Sequence, residues 1–157
     1  MFSLYDIQGM NRRKGSTTHA AVAHNWINQT GKGTHGFAMF YEGKTLYSYG
    51  HHFPLGHITT NIKGERVILL NSGSYSVSTV KHKLITWRAS RTEKTFDVPD
   101  VMAASPRDHE ANHAAILAWA EESEAKASRA RKHKQSYLET AQRQRNTAKQ
   151  YAKEFLA

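Results

Sequence analysis

One short pattern in this chain has the residue types of a metal-dependent hydrolase. His109-Glu110-Ala111-Asn112-His113 matches the H-E-x-x-H motif of zinc peptidases. Because histidines four residues apart share a helix face, His109 and His113 could bind Zn²⁺ while Glu110 acts on a metal-bound water. The resemblance to zinc metallopeptidases covers these five residues alone. It makes zinc-dependent peptide hydrolysis one alternative function.

The context of this pattern favours an ordinary helix start. The run Ser105-Pro106-Arg107-Asp108 is typical of a helix N-terminus, so we expect the motif to lie in a solvated first turn. The longer glycine-and-histidine extension of the peptidase motif is absent, since Ile116 and Trp119 stand there. We therefore assign no catalytic residue, metal ligand or cofactor, and zinc remains the alternative.

Histidine is concentrated in the first part of the chain. Six of the ten histidines lie between residues 19 and 57. His19 and His24 are five residues apart, about 140° around a helix, so they do not share a face. A metal or general-base site would require the fold to gather the distant histidines His35 and His57, with His82 as a further candidate. We expect packing against aromatic rings and polar surface instead.

The net charge of +9 is concentrated near the C-terminal end. Residues 125–153 hold nine basic side chains and one acidic one, whereas residues 15–124 are neutral overall, and the first fourteen residues add a small basic patch. A localised positive charge predicts a polyanionic partner, nucleic acid or an acidic nucleoprotein complex, through counterion release and steering. The residues that we expect to contact phosphates are Arg12, Arg13, Lys14, Lys126, Arg129, Arg131, Lys132, Lys134, Arg143, Arg145, Lys149 and Lys153.

Composition excludes several classes of protein. The chain has no Cys, which excludes a disulfide framework, a thiolate metal cluster and a cysteine nucleophile. No apolar run approaches the roughly 18–20 residues of a membrane span. The first residues lack the order of a signal peptide, because their charges follow their apolar side chains. We expect a cytoplasmic protein with no membrane partner.

Helix and strand signals alternate over the first hundred residues. Ser16 or Thr17 can cap a first short helix. Strand composition marks residues 37–41, 45–49, 53–59 and 66–70, and a glycine turn joins the first two. Ser76 or Ser78 can cap a second helix, although the same stretch could also form a strand. This helix carries apolar residues at roughly helical spacing, Val80, Leu84, Ile85 and Trp87. Residues 94–98 are a further candidate strand.

The chain beyond residue 107 has helix-forming composition and contains no Gly or Pro. It predicts a long helix or two, with a break near residues 128–133. The first half has an apolar side that can dock on the sheet: Ile116, Leu117, Trp119 and Ala120. The second half has a stripe within about a third of the helix circumference: Tyr137, Ala141, Ala148, Tyr151 and Phe155.

These signals predict an α+β fold. We expect a small antiparallel β-sheet of three or four strands with two short helices, followed by a long C-terminal helical segment. Residues 1–100 would form a compact α+β domain, and residues 101–157 a helical, strongly basic C-terminal extension.

Aromatic and histidine side chains interleave in the run Tyr47-Ser48-Tyr49-Gly50-His51-His52-Phe53-Pro54-Leu55. Such rings could stack on unpaired bases if they were exposed on a sheet. Because Tyr47, Tyr49 and Phe53 have the same parity along the chain, core packing is the favoured interpretation. Together with Ser74-Tyr75-Ser76-Val77-Ser78-Thr79-Val80-Lys81-His82, the run resembles a small domain of phage and mobile-element proteins, over residues 16–90.

That family has no assigned activity, so no residue inherits a role from it. The resemblance implies a setting among phage accessory proteins, some of which counter host defence as anti-CRISPR proteins do. The leading hypothesis is a non-enzymatic accessory protein that binds nucleic acid or a nucleoprotein complex through its basic C-terminal helix. The second alternative is a protein-interaction module. In this hypothesis, Tyr137, Tyr151 and Phe155 dock another helix or a second copy of the chain.

Overall fold

The computed structural model of the chain describes residues 17–73 and 76–156. This described part is α+β, as predicted, with five strands and four helices. The strands are β1 (Met39–Glu42), β2 (Thr45–Ser48), β3 (Pro54–Thr60), β4 (Arg66–Asn71) and β5 (Thr95–Val98). The helices are α1 (His19–Ile27), α2 (Val77–Ser90), α3 (Pro106–Arg129) and α4 (Lys134–Phe155). Two compact units result, one of residues 17–58 and 76–93 and one of residues 59–73 and 94–156.

The sheet is mixed and has the strand order β1-β2-β3-β4-β5. β1 and β2 are antiparallel, with Phe40 opposite Tyr47, and β2 and β3 are antiparallel as well. β4 and β5 are parallel. The prediction of three or four antiparallel strands is wrong in number and in this last pair. The connection between β4 and β5, residues 72–94, contains α2 and is long enough for a parallel crossover. The predicted domain boundary near residue 100 stays a prediction.

In the first unit, α1 holds the turn between β1 and β2. Its N-cap is Thr18, whose Oγ1 accepts from the Ala21 N–H at 3.2 Å, one or two residues later than predicted. The buried face of α1 includes Trp26, and the indole Nε1–H donates to the Lys44 carbonyl at 2.8 Å. The hydrogen bond fixes the hairpin turn against the helix while the indole ring fills the core.

The second helix is capped by Ser76, one of the two predicted caps, which accepts from the Thr79 N–H at 3.2 Å. Its inward face is polar and consists of Thr79, His82, Thr86 and Ser90. The hydroxyls of Thr86 and Ser90 donate to carbonyls four residues earlier, each at 2.8 Å. The hydroxyls of Thr86 and Ser90 are thus satisfied within the helix, and most of the apolar side chains of α2 point outward.

The core of the second unit lies between its two strands and its two long helices. Strands β4 and β5 contribute Val67, Leu69, Phe96 and Val98, and the following turn contributes Val101 and Ala103. Ile116 of α3 packs against this cluster, with Leu117 and Trp119 partly buried beside it. The predicted docking of the first half of the tail on the sheet is confirmed.

A buried carboxylate ties the end of α4 to the second unit. Glu154 accepts from Asn61 Nδ2 at 2.6 Å and from Lys94 Nζ at 2.9 Å. Burial alone would raise the pKa of Glu154, but the Asn61 hydrogen bond and the Lys94 ammonium hold this pKa below its ordinary value. The C-terminal helix is therefore anchored at its far end by charge as well as by packing.

Candidate nucleic-acid interface

Most of the basic residues predicted to contact phosphates lie on one helical hairpin. α3 begins at a capping box: Ser105 Oγ accepts from the Asp108 N–H, and the Asp108 carboxylate accepts from the Ser105 N–H, each at 3.2 Å. The chain leaves the helix at Ala130, and α4 begins at Lys134. The predicted break near residues 128–133 is confirmed. His133 has a left-handed φ of 65°, which helps the chain change direction.

Small residues form the seam between α3 and α4. Ala120 and Ala127 of α3 and Ala141 and Ala148 of α4 are each at most 2% exposed. Short side chains let two helix backbones approach closely, so the pair packs without large apolar residues along this part. The alanine and aromatic stripe predicted on α4 is thus used inside the chain.

Two polar contacts cross the same seam. Ser123 Oγ donates to Gln144 Oε1 at 2.8 Å. Arg145 donates from Nε and from a terminal nitrogen to the two carboxylate oxygens of Glu124, each at 2.6 Å. These hydrogen bonds hold the pKa of Glu124 below its ordinary value. One of the predicted phosphate-binding cations, Arg145, is therefore engaged in fixing the hairpin.

The connection between the helices is the most cationic part of the described chain. We call residues 126–134 the hairpin tip. It holds five exposed basic side chains and no acidic one, and His133 is exposed among them. The five are Lys126, Arg129, Arg131, Lys132 and Lys134. The solvated character expected for this segment is confirmed.

Two of these cations also have a structural role. Lys126 and Arg129 lie in the last turn of α3, where positive charge complements the carbonyl end of the helix dipole. Lys126 Nζ is 3.7 Å from a Glu122 carboxylate oxygen in an exposed i,i+4 pair. Pairs of this kind contribute little in water, so Lys126 can exchange its partner for a phosphate.

The outer side of α4 extends the positive surface away from the tip. Arg143, Lys149 and Lys153 are exposed and lie about 100–140° around the helix from the buried Ala148. The only acidic side chain exposed on this helix, among the described residues, is Glu139. The tip and this outer face thus give one helical hairpin eight exposed basic side chains that can donate hydrogen bonds to phosphates. Arg12, Arg13 and Lys14, the predicted secondary patch, lie outside the described residues.

The H-E-x-x-H pattern lies at the start of α3, but its first histidine is buried. His109 is 6% exposed and stacks on Phe155, with ring centroids 4.2 Å apart and planes 9° apart. Glu110 is exposed and His113 half-buried. The expectation of a solvated first turn is wrong for His109, because the aromatic end of α4 covers it.

His109 belongs to a buried hydrogen-bond network. Asn112 Nδ2 donates to the Tyr151 hydroxyl oxygen at 3.0 Å, and the hydroxyl is 2.7 Å from His109 Nδ1. The Tyr151 hydroxyl therefore joins His109 and Asn112 in one network. Burial raises the pKa of Tyr151 to about 12 and lowers the pKa of His109, so both groups are neutral at pH 7.

The same network connects α3 to the turn after β5. Asn112 also donates to the Asp100 carbonyl at 2.9 Å, and its side-chain oxygen accepts from the Asp100 N–H at 3.1 Å. In the sequence, His109 and Asn112 begin a stripe that continues through Ile116 and Ala120 at helical spacing. The position of His109 and Asn112 at the start of this apolar stripe is the sequence signal that they are buried. The match to the zinc-peptidase motif draws attention away from that signal.

Four other histidines have partners in the first unit. His57 Nδ1 is 2.8 Å from Thr45 Oγ1, and His35 stacks on Phe40 with a centroid distance of 5.4 Å. His82 is buried, with its Nδ1 2.6 Å from Ser48 Oγ and its ring 4.9 Å from that of His19. Across residues 17–73 and 76–156, no three His, Asp or Glu side chains are grouped to hold a metal ion.

The aromatic run of β2 and β3 is divided between core and surface. Phe53 is buried, as predicted, but Tyr47 is half-buried and Tyr49 is 59% exposed. Tyr49 has a φ of 65°, so the regular strand ends there and parity no longer predicts its side. The interpretation of the whole run as core is wrong for Tyr49.

The chain matches no protein-family model, no curated protein and no solved structure. In the part that the structure describes, no helix is long and apolar enough to cross a membrane.

Proposed function

We propose that the chain is a non-enzymatic protein that binds nucleic acid, alone or within a nucleoprotein complex, through the hairpin tip and the outer face of α4. The observation that carries this proposal is the hairpin tip, with five exposed basic side chains and no acidic one over nine residues. Exposed Lys and Arg side chains displace condensed counterions from phosphates, and this supplies sequence-independent affinity. Contacts of this type position a protein on a duplex or strand without reading bases.

The hairpin supports this function because contacts away from the tip hold its two helices together. Its buried alanines, the Ser123–Gln144 hydrogen bond and the Arg145–Glu124 pair hold the two helices together. The tip side chains remain free to follow a phosphate backbone. The outer-face cations of α4 then lengthen the contact along the same hairpin.

The proposed biological setting rests on the resemblance of two short runs to a domain of phage and mobile-element proteins. In that setting the chain is an accessory protein of a phage or mobile element that acts on a nucleic-acid target such as a host defence complex. Its place would be the cytoplasm, where such complexes are found.

The two other hypotheses have less support in the geometry. A helix-mediated interaction module was to use Tyr137, Tyr151 and Phe155. Tyr151 and Phe155 are 0% and 5% exposed within the chain itself, and Tyr137 is half-buried. The zinc-peptidase hypothesis was to use His109, whose Nδ1 faces the Tyr151 hydroxyl and whose ring stacks on Phe155. His109, Tyr151 and Phe155 therefore already have packing partners in the core.

The test is binding of fluorescently labelled DNA and RNA, single- and double-stranded, to the full chain and to two variants. The tip variant carries Arg129→Gln, Arg131→Gln, Lys132→Gln and Lys134→Gln. Its control removes four exposed cations elsewhere, Lys32→Gln, Lys44→Gln, Lys63→Gln and Arg107→Gln.

The tip variant is expected to lose at least about tenfold in affinity at near-physiological salt, whereas the control stays within about threefold of the unmodified chain. The two variants change the net charge equally, so a difference between them reports local contact. Equal losses in both variants, or no binding by the unmodified chain, would contradict the proposal.

A further inference from the structure

The second helix, α2, has an apolar face toward solvent and a polar face toward the core. Its exposed face carries four large apolar side chains: Val77 (75% exposed), Val80 (54%), Leu84 (45%) and Trp87 (49%). Its buried face is polar. A core helix normally turns its apolar stripe inward. Within residues 17–73 and 76–156, the fold therefore leaves these four side chains exposed.

The spacing of the exposed stripe fits one helix as partner. Its members follow one another at intervals of three, four and three residues, which is the a/d spacing of a coiled coil. They lie within about 80° of the helix circumference, a narrow seam rather than the broad apolar face that lies on a bilayer. The seam is about 15 Å long at 1.5 Å per residue. Trp87 at its end is the residue type that most often dominates binding energy at interfaces.

Charge specifies what kind of helix fits. Residues 66–92 contain no Asp or Glu, and α2 itself carries three basic side chains. Lys81 and Arg88 are exposed, seven residues apart, and flank the seam on one side. Flanking charges of a helix pair select partners of opposite sign. A second copy of α2 would bring like charges together, which disfavours self-pairing through this face.

We propose that the exposed seam of α2, Val77, Val80, Leu84 and Trp87, binds an acidic amphipathic helix of a partner protein. The partner helix packs Leu- or Ile-type side chains into the seam and places Glu or Asp beside Lys81 and Arg88. This site uses none of the hairpin-tip residues and goes beyond nucleic-acid binding. It would give the chain one surface for a polyanion and another for a protein.

The test uses two synthetic peptides of about three heptads with Leu at every a and d position. One peptide has Glu at every e and g position, and the other has Lys there. Repulsion between like charges keeps each peptide from pairing with itself. Fluorescence anisotropy measures the affinity of each peptide for the full chain. The acidic peptide is expected to bind at least about tenfold more tightly than the basic peptide.

Two variants and a control test whether the peptide binds at this seam. Leu84→Asp is expected to lower the affinity for the acidic peptide at least about tenfold, since it places a charge in the seam. The pair Lys81→Glu and Arg88→Glu is expected to reverse the preference between the peptides. Leu138→Asp, at an exposed leucine of α4 (41% exposed), is expected to change neither affinity more than about twofold.

Several results would overturn the proposal. Equal affinity for the two peptides, or an unchanged affinity in Leu84→Asp, would remove the acidic helix as the occupant. Self-association of the unmodified chain that Leu84→Asp abolishes, measured by light scattering, would make a second copy the occupant. Binding to vesicles of phosphatidylserine and phosphatidylcholine that Leu84→Asp abolishes, without acidic-peptide binding, would make the occupant a lipid surface.

Discussion

At the scale of single residues, the buried polar side chains at the start of α3 have a structural role. His109, Asn112 and Tyr151 form one buried network, in which the imidazole Nδ1, the amide and the hydroxyl each have a partner. Phe155 covers the imidazole ring. His109 and Asn112 of the zinc-peptidase pattern thus have hydrogen-bonded places in the core. The sequence pattern alone could not distinguish this structural role from zinc binding.

Replacing Tyr151 with Phe tests this network. The change removes one hydroxyl and leaves His109 Nδ1 and one Asn112 N–H without their partner. Unsatisfied buried polar groups cost about 1–3 kcal/mol, so we expect the free energy of unfolding to fall by that amount in urea denaturation. Tyr137→Phe on the same helix, at a half-buried position, is the control and should change stability by less than about 0.5 kcal/mol.

The buried histidines predict how stability depends on pH. Burial lowers the pKa values of His19, His57, His82 and His109. Below about pH 6.5 the unfolded chain therefore binds more protons than the folded chain, and stability must fall as pH falls. Each histidine contributes at most about 1.4 kcal/mol per pH unit.

Urea denaturation at intervals between pH 7.5 and 5.5 measures this dependence. We expect a decrease toward pH 5.5, and a smaller decrease in His57→Gln. Glutamine keeps a group that can bond to Thr45 but has no proton to gain. A free energy of unfolding that stays constant across this range would show that these histidines are not held neutral by the fold.

At the scale of elements, the hairpin of α3 and α4 depends on close approach of its helices. Ala148 is 1% exposed and belongs to the core of the second unit. Ala148→Leu is expected to lower the free energy of unfolding by about 1–3 kcal/mol, because a larger side chain cannot fit without displacing a helix. Ala118→Leu, at an exposed position of α3, is the control for helix propensity. Its free energy of unfolding should remain within about 0.5 kcal/mol of that of the unmodified chain. Equal effects would mean that the seam is loosely packed.

Much of the element structure could be predicted from local sequence. The β1–β2 turn has glycine at its required position, and α3 begins at a Ser-Pro-x-Asp signal that forms a complete capping box. The break between α3 and α4 was also predicted, although neither Gly nor Pro marks it. These features depend on residues that are close together in the sequence, so local sequence signals are enough to predict them.

Features set by distant residues were missed. The parallel pairing of β4 and β5 depends on where the chain returns after α2, which no local signal specifies. Periodicity located the apolar residues of α2 on one face, but it could not show that this face points outward. The burial of His109 depends on Phe155, 46 residues away, and on the packing of a second helix.

At the scale of the whole molecule, charge is the property that most distinguishes the chain. The basic segment, residues 125–153, has a net charge of +8, and the structure gives its members different roles. Arg145 pairs with Glu124 across the helix seam, while the hairpin tip and the outer face of α4 present their cations to solvent. The excess charge is therefore largely at the surface.

The salt dependence of nucleic-acid binding tests the central claim most directly. The logarithm of the association constant is measured against the logarithm of salt concentration for the unmodified chain, the four-residue tip variant and its four-residue control. If all four tip residues contact phosphates, the tip variant should show a slope shallower by about 3.6 on duplex DNA or about 2.8 on single strands, and the control should keep the original slope. A flat salt dependence in the unmodified chain, or equal slopes in all three proteins, would contradict nucleic-acid binding through the hairpin tip.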